Sequence, residues 1–205
     1  MTRSPAVFLR RVAPAVALLA ASASSAPSAR AQATRGVRPV PRDLVYEASI
    51  AELQDGMQRG RWTSVQLVDA YRARIAAYDQ GGPALNAIIR ANPNARRDAA
   101  ALDAERKAGR VRGPLHGIPI LLKDNFDTFD LPTSAGSLAL AGVQPPDDGF
   151  VVKRLRAAGA VILGKTNMHE LAAGITSVSS LGGQTRNPYD PMRCPGGSSG
   201  GTGAA

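Results

Sequence analysis

The 205-residue sequence holds a single cysteine, Cys194, so an intramolecular disulfide is excluded. No base can be assigned to Cys194, and it reads as a small packed or exposed residue rather than a nucleophile. Histidine is almost as rare. His116 and His169 each lack a second ligand at metal-binding spacing, so no metal site is expected, and each reads as a packed or surface residue. Aromatic residues make up only 4%, a compositional bias that points to no particular chemistry. The apolar stretch Val12 to Ala21 is too short to span a bilayer, which takes about 20 residues as a helix.

Acidic residues are absent from the first 31 positions, which carry Arg3, Arg10, Arg11 and Arg30. Basic residues, a short apolar run and the small-x-small triplet Ala29-Arg30-Ala31 together read as an export signal over 1–31, with Ala21-Ser22-Ala23 as a second cleavage candidate. The Arg10-Arg11 pair suggests twin-arginine export, although Pro14 follows closely. An exported protein, periplasmic or secreted, is therefore expected, with no stable membrane insertion once the signal is removed. The whole chain has 25 basic and 16 acidic residues, a net charge of +9. Without the four leader arginines the balance is 21 − 16 = +5. The remaining cations interleave with anions, as in Glu105-Arg106-Lys107, which describes a solvated surface and no nucleic-acid partner.

Residues 32–45, rich in Arg and Pro, read as a linker, and one domain over 46–205 follows. Ser49 to Glu52 and Thr63 to Gln66 both fit capping boxes, in which the hydroxyl and the side chain three residues on satisfy free backbone N–H groups. The first helix should stop near Gly60. The second should present Leu67, Val68, Tyr71, Ile75 and Tyr78 on one face and close at Gly81-Gly82-Pro83. A short strand is expected at 87–90 and a helix at 95–107 ending before Gly109. Ile118 to Leu122 and Val161 to Leu163 are continuous apolar runs suited to strands buried on both faces. Helices are expected at 150–158 and, capped by Asn167, at 168–173. Helices alternating with apolar strands imply a layered α/β domain. From Gly182 onward Gly, Pro, Ser, Thr and Asn dominate, a composition ordinarily found in flexible tails.

Two segments carry chemistry. Gly117-Ile118-Pro119-Ile120-Leu121-Leu122-Lys123-Asp124-Asn125 ends an apolar strand on a lysine, where desolvation lowers an ammonium pKa toward that of a usable base. The same lysine is also compatible with a head group that reaches water or pairs with Asp124. Asp124 and Asn125 are suited either to orienting the lysine loop or to capping a turn. Pro195-Gly196-Gly197-Ser198-Ser199-Gly200-Gly201-Thr202 sets two serines among glycines that permit positive φ and close approach. A Gly/Ser spacer has similar composition. A phosphate loop does not fit, because no Gly-Lys-Ser/Thr follows.

Together these segments resemble the amidase signature family. The likeness continues through Gly113-Pro114-Leu115-His116-Gly117, Thr133-Ser134-Ala135-Gly136-Ser137, Gly164-Lys165-Thr166-Asn167-Met168 and Gly183-Gln184-Thr185-Arg186-Asn187-Pro188-Tyr189, in the family's order. The resemblance implies a three-layer α/β/α fold with a mixed central sheet, of which this sequence holds the N-terminal part. It implies a Ser–cis-Ser–Lys triad with Lys123 as base and Ser198 as the cis serine. Gly196, Gly197, Ser199 and Thr202 would then support the loop. The activity implied is hydrolysis of a small linear carboxylic amide through an acyl-enzyme, without cofactor or metal. The family's nucleophile and oxyanion turn follow Ser198, and the sequence reaches Ala205 without them. The 205-residue polypeptide alone is thus expected to be inactive, and unstable through open sheet edges. An amidotransferase A-type subunit shares the motifs and is a second reading, against which the leader argues. A non-catalytic scaffold is a third.

Overall fold

The computed structural model describes residues 45–205. The leader reading over 1–31, and the linker reading over 32–45 except for its last residue, lie outside the described residues. Val45 itself packs with Leu53, Met57, Leu67, Ala70 and Ile118.

Both capping boxes form. Ser49 caps α1 (Ile50–Gln58) and Thr63 caps α2 (Ser64–Tyr78), each exchanging side-chain and backbone hydrogen bonds with Glu52 or Gln66. Gly60 follows α1 at a φ of 67°, a left-handed value that glycine adopts at little cost. Helix α2 buries Leu67 and Val68, but Tyr78 at its last turn is exposed and stacks under the Arg74 guanidinium at 5.4 Å. The expected apolar face therefore ends one turn early. Beyond it lie β1 (Ile88–Ala91), α3 (Ala95–Lys107), β2 (Pro119–Lys123), α4 (Phe150–Ala157) and β3 (Val161–Thr166).

These strands form a mixed sheet in the order β1-β3-β2, with β3 antiparallel to β1 and parallel to β2. Helices α2 and α3 cover one face, where Val68, Ala95, Ala99 and Leu102 meet Val161 and Leu163. Helix α4 covers the other, where Val152 meets Leu122 and Ile162. This α/β/α layering satisfies the apolar demand of a central strand on both sides. Strand β3 is buried at all six positions. The same expectation fails for β2. Pro119, Ile120, Leu121 and Lys123 are half-buried, because β2 lies at an edge of the described sheet.

Residues 168–173 also depart from the sequence reading. They form only a 3₁₀ turn, Glu170–Ala172, with Leu171 and Ala172 at φ values of 51° and 58°. An α-helix cannot propagate through left-handed residues, and the Leu171 N–H is used elsewhere, donating to Ala135 O at 2.8 Å. Asn167 is instead a buried junction. Its Oδ1 accepts from Met168 N and Ser179 Oγ, both at 2.9 Å, and its Nδ2 donates to Asn86 O at 3.2 Å. The polar segment after Gly182 contains β5 (Gly183–Gln184), paired antiparallel with β4 (Val178–Ser179), and ends in α5 (Gly200–Ala204). Among the described residues no helix is long and apolar enough to cross a membrane.

Candidate active site

Lys123 closes β2 and pairs in register with Thr166, which closes β3. Side chains alternate across a strand, so Lys123 lies on one face while Leu122 and Lys165, also in register, lie on the other. Lys123 Nζ donates to Ser198 Oγ at 2.6 Å, across 75 positions of sequence. Desolvation holds the Lys123 pKa below the ordinary lysine value. Among the described residues the lysine ion pairs are Lys153–Asp147 and Lys165–Asp124, and Lys123 is in neither. Among these residues its amine meets a hydroxyl and no carboxylate.

Asp124, the partner that the sequence offered Lys123, is turned the other way. Its carboxylate is buried, and Oδ2 accepts from Ser134 N and Gly136 N, both at 3.2 Å, and from the Ser134 hydroxyl. Its Oδ1 lies 3.4 Å from Lys165 Nζ. Lys165 is fully buried and also donates to Thr133 Oγ1 at 3.0 Å. Burial draws the Lys165 pKa down, and the Asp124 charge opposes that shift. The lysine missed by sequence reasoning is thus Lys165. It ends an apolar run just as Lys123 does, and that shared pattern was the available signal. Asn125 is exposed.

Ser198 sits in a tightly tethered turn. The Gly197–Ser198 peptide is cis, and Gly196 adopts a φ of 87°. His169 N donates to Ser198 O at 2.9 Å, and Gly201 N donates to Asn167 O at 3.0 Å. Thr202 Oγ1 shares a 2.8 Å hydrogen bond with Thr166 Oγ1, joining α5 to the strand position beside Lys123. Ser199 is exposed; its backbone carbonyl accepts from Gly203 N at 3.1 Å, and its side chain makes no cap hydrogen bond to α5. The glycines serve close approach to the protein itself. A Cβ at Gly201 would lie 2.4 Å from both Ala87 O and Asn167 O. Ser177, beneath this turn, is a second residue absent from the sequence reading, and nothing in its local sequence distinguishes it.

Neither histidine ring hydrogen-bonds to Lys123 or Ser198. His116 is fully buried, with Nδ1 accepting from Arg112 N at 3.2 Å and Nε2 lying 3.0 Å from Leu102 O. His169 Nδ1 lies 3.2 Å from Thr176 Oγ1. Cys194 is exposed. Among the described residues no three His, Cys, Asp or Glu side chains converge as metal ligands do. A desolvated amine held against a hydroxyl can exchange a proton with it, and that is the chemistry this geometry offers.

Residues 66–205 match the family model described as Amidase. The chain is 46% identical over 158 residues to the A-type subunit of glutamyl-tRNA(Gln) amidotransferase from Salinispora arenicola, covering 77% of this chain and 32% of that protein. It is 47% identical over 162 residues to the protein of the same name from Thermobifida fusca, covering 78% and 32%. Among solved structures, native peptide amidase from Stenotrophomonas maltophilia matches with a TM-score of 0.77 and 52% identity, covering 82% of this chain and 34% of that one. An amidase family protein from Bacillus anthracis matches with a TM-score of 0.75 and 38% identity, covering 80% and 34%. The chain thus spans about a third of the length of the relatives it matches.

Proposed function

Because the chain belongs to the amidase family, we propose that Lys123 and Ser198 are the base and proton relay of a serine amidohydrolase acting on a small linear carboxylic amide. The observation that carries this reading is the 2.6 Å contact between Lys123 Nζ and Ser198 Oγ, made by a lysine with no counter-ion among the described residues at a half-buried strand end. Neutral Lys123 accepts the Ser198 proton while Ser198 Oγ takes one from the attacking serine, which the family resemblance places beyond Ser198. That serine adds to the amide carbonyl. The relay then runs backward, so the proton reaches the departing nitrogen and ammonia or an amine leaves. Water, activated by the same pair, hydrolyses the resulting ester to the acid. Every step is a proton transfer or an acyl transfer, so the scheme calls for no cofactor or metal.

The test is ammonia release from a C-terminally amidated dipeptide by the full-length protein. Lys123→Met and Ser198→Ala should each lower kcat by about 10²–10⁴-fold, the usual contribution of positioned acid–base groups. Turnover unchanged in Lys123→Met would end the proposal. The 46–47% identity to A-type amidotransferase subunits favours one further reading, a protein that needs partner chains to act. Hydrolysis of a free amide by the protein alone separates the two. We also propose export, from the basic and apolar pattern of residues 1–31. Recovery of periplasmic protein beginning at Gln32 would support it, and cytosolic protein retaining Met1 would not.

A further inference from the structure

Ser177 lies outside both sequence motifs, between the 3₁₀ turn and β4, and is fully buried. Its hydroxyl reaches both sides of the serine turn at once. Oγ donates to Gly196 O at 2.6 Å and accepts from Gly200 N at 2.9 Å. These two partners bracket Gly197, Ser198 and Ser199, so one side-chain atom closes the turn that presents the Ser198 hydroxyl. The fit is close on every side. A Cβ at Gly200 would lie 2.1 Å from Ser177 Oγ, and one at Gly197 would lie 2.8 Å from it. Ser177 holds this place at a φ of 54°, a backbone region that favours glycine. Its own carbonyl, which accepts from Thr185 N at 3.0 Å, ties it to the segment following β5.

We propose that Ser177 is a positioning residue: its hydroxyl sets the serine turn so that Ser198 Oγ stays within reach of Lys123 Nζ. The proposal rests on the proton-relay reading above. A turn of glycines and serines has many accessible backbone states, and the Lys123–Ser198 hydrogen bond must select one of them. The backbone anchors His169 N to Ser198 O and Gly201 N to Asn167 O fix the middle and the α5 side of the turn, and neither reaches its Gly196 side. Ser177 supplies the two flanking points. Without its hydroxyl, Gly196 O and Gly200 N lose their common partner and the turn can rotate Ser198 away.

Ser177→Gly separates positioning from folding, because glycine removes the hydroxyl while suiting the left-handed backbone. In the full-length protein, Ser177→Gly should keep the thermal midpoint within about 3 °C, lower kcat about tenfold or more, and leave KM within about threefold. Ser177→Ala should show the same kinetic pattern with a lower midpoint. A crystal structure of Ser177→Gly should show Lys123 Nζ and Ser198 Oγ beyond hydrogen-bond distance. Retention of the 2.6 Å contact, or of wild-type kcat, overturns the clamp. Should Ser177→Gly not fold, Gly200→Ala presses on the same hydroxyl from the other side and should give the same loss of kcat at constant KM; unchanged kcat there also overturns the clamp. Lys123→Met is the parallel control. If it too keeps activity, the relay reading has failed, and the distance measured in the crystal still decides the role of Ser177.

Discussion

Lys165→Met should destabilise the protein by about 4 kcal/mol, the loss expected when one member of a buried ion pair is removed. Lys165 and Asp124 are both within 1% of full burial and lie 3.4 Å apart. Coulomb's law at an effective dielectric of about 20 gives 332/(20 × 3.4), about 5 kcal/mol, for the attraction. Mutational experience with broken buried pairs gives about 3–5 kcal/mol. Methionine fills the space left by the lysine stem but strands the carboxylate, whose Oδ1 accepts no hydrogen bond among the described residues. The bonds from Ser134 and Gly136 all fall on Oδ2 and cannot replace the lost charge. For a unit of about 200 residues, about 4 kcal/mol corresponds to a fall of about 8–16 °C in the melting midpoint, and for a longer protein to proportionately less. The assay is thermal or urea unfolding followed by circular dichroism. Lys165→Met combined with Asp124→Asn removes the stranded charge and should regain at least half of the loss. A midpoint within about 3 °C of wild type for the single variant would contradict a stabilising buried pair, as would a double variant less stable than the single one.

The base itself should leave a signature in pH. Lys123 has its pKa lowered by desolvation, so the acid limb of kcat/KM should fall below the ordinary lysine value of 10.5; a limb at or above that value contradicts a desolvated base. The sign for stability follows: between the depressed folded pKa and 10.5 the unfolded chain carries the extra proton, so this group's contribution to stability rises with pH across that window. Gly201→Ala would force a Cβ to 2.4 Å from two backbone oxygens and should cost about 1–3 kcal/mol while lowering turnover; wild-type melting and kcat would show that α5 can shift freely. Arg156 bridges Asp148 at 2.9 Å and Asp130 at 2.6 Å, two carboxylates no more than 9% exposed, so Arg156→Met should cost about 2–4 kcal/mol. Arg59→Ala, which breaks an open pair with Asp55, should stay within about 0.5 kcal/mol, and equal effects of the two substitutions in urea titrations would contradict this ranking.

Much of the fold is legible because its signals are local. The Ser49 and Thr63 capping boxes are satisfied by residues three positions away, so side chain and backbone meet wherever the helix later packs. The start of β3 reads as buried because Val161, Ile162 and Leu163 are apolar on both faces, and a central strand needs that. Sequence reasoning goes astray where a distant group claims a local one. Asn167 looks like a cap, but its side chain serves Ser179 and Asn86, and Leu171 gives its N–H to Ala135. Lys165 and Lys123 end equivalent apolar runs, and only the fold assigns one to a carboxylate and the other to a hydroxyl.

The residues in their linear order specify the chemistry on offer: a lysine ending an apolar strand, serines among glycines, and the order of motifs that marks the family. Hydrophobic period and capping are properties of neighbouring residues, so they survive without knowledge of the whole. Which groups meet is a matter for the folded chain. Lys123 and Ser198 lie 75 positions apart, and their contact depends on the parallel pairing of β2 with β3 and on the ties from His169, Thr166 and Ser177. Each of those ties is a hydrogen bond between segments remote in sequence. Its existence depends on where the backbone has been carried, which no residue type specifies alone.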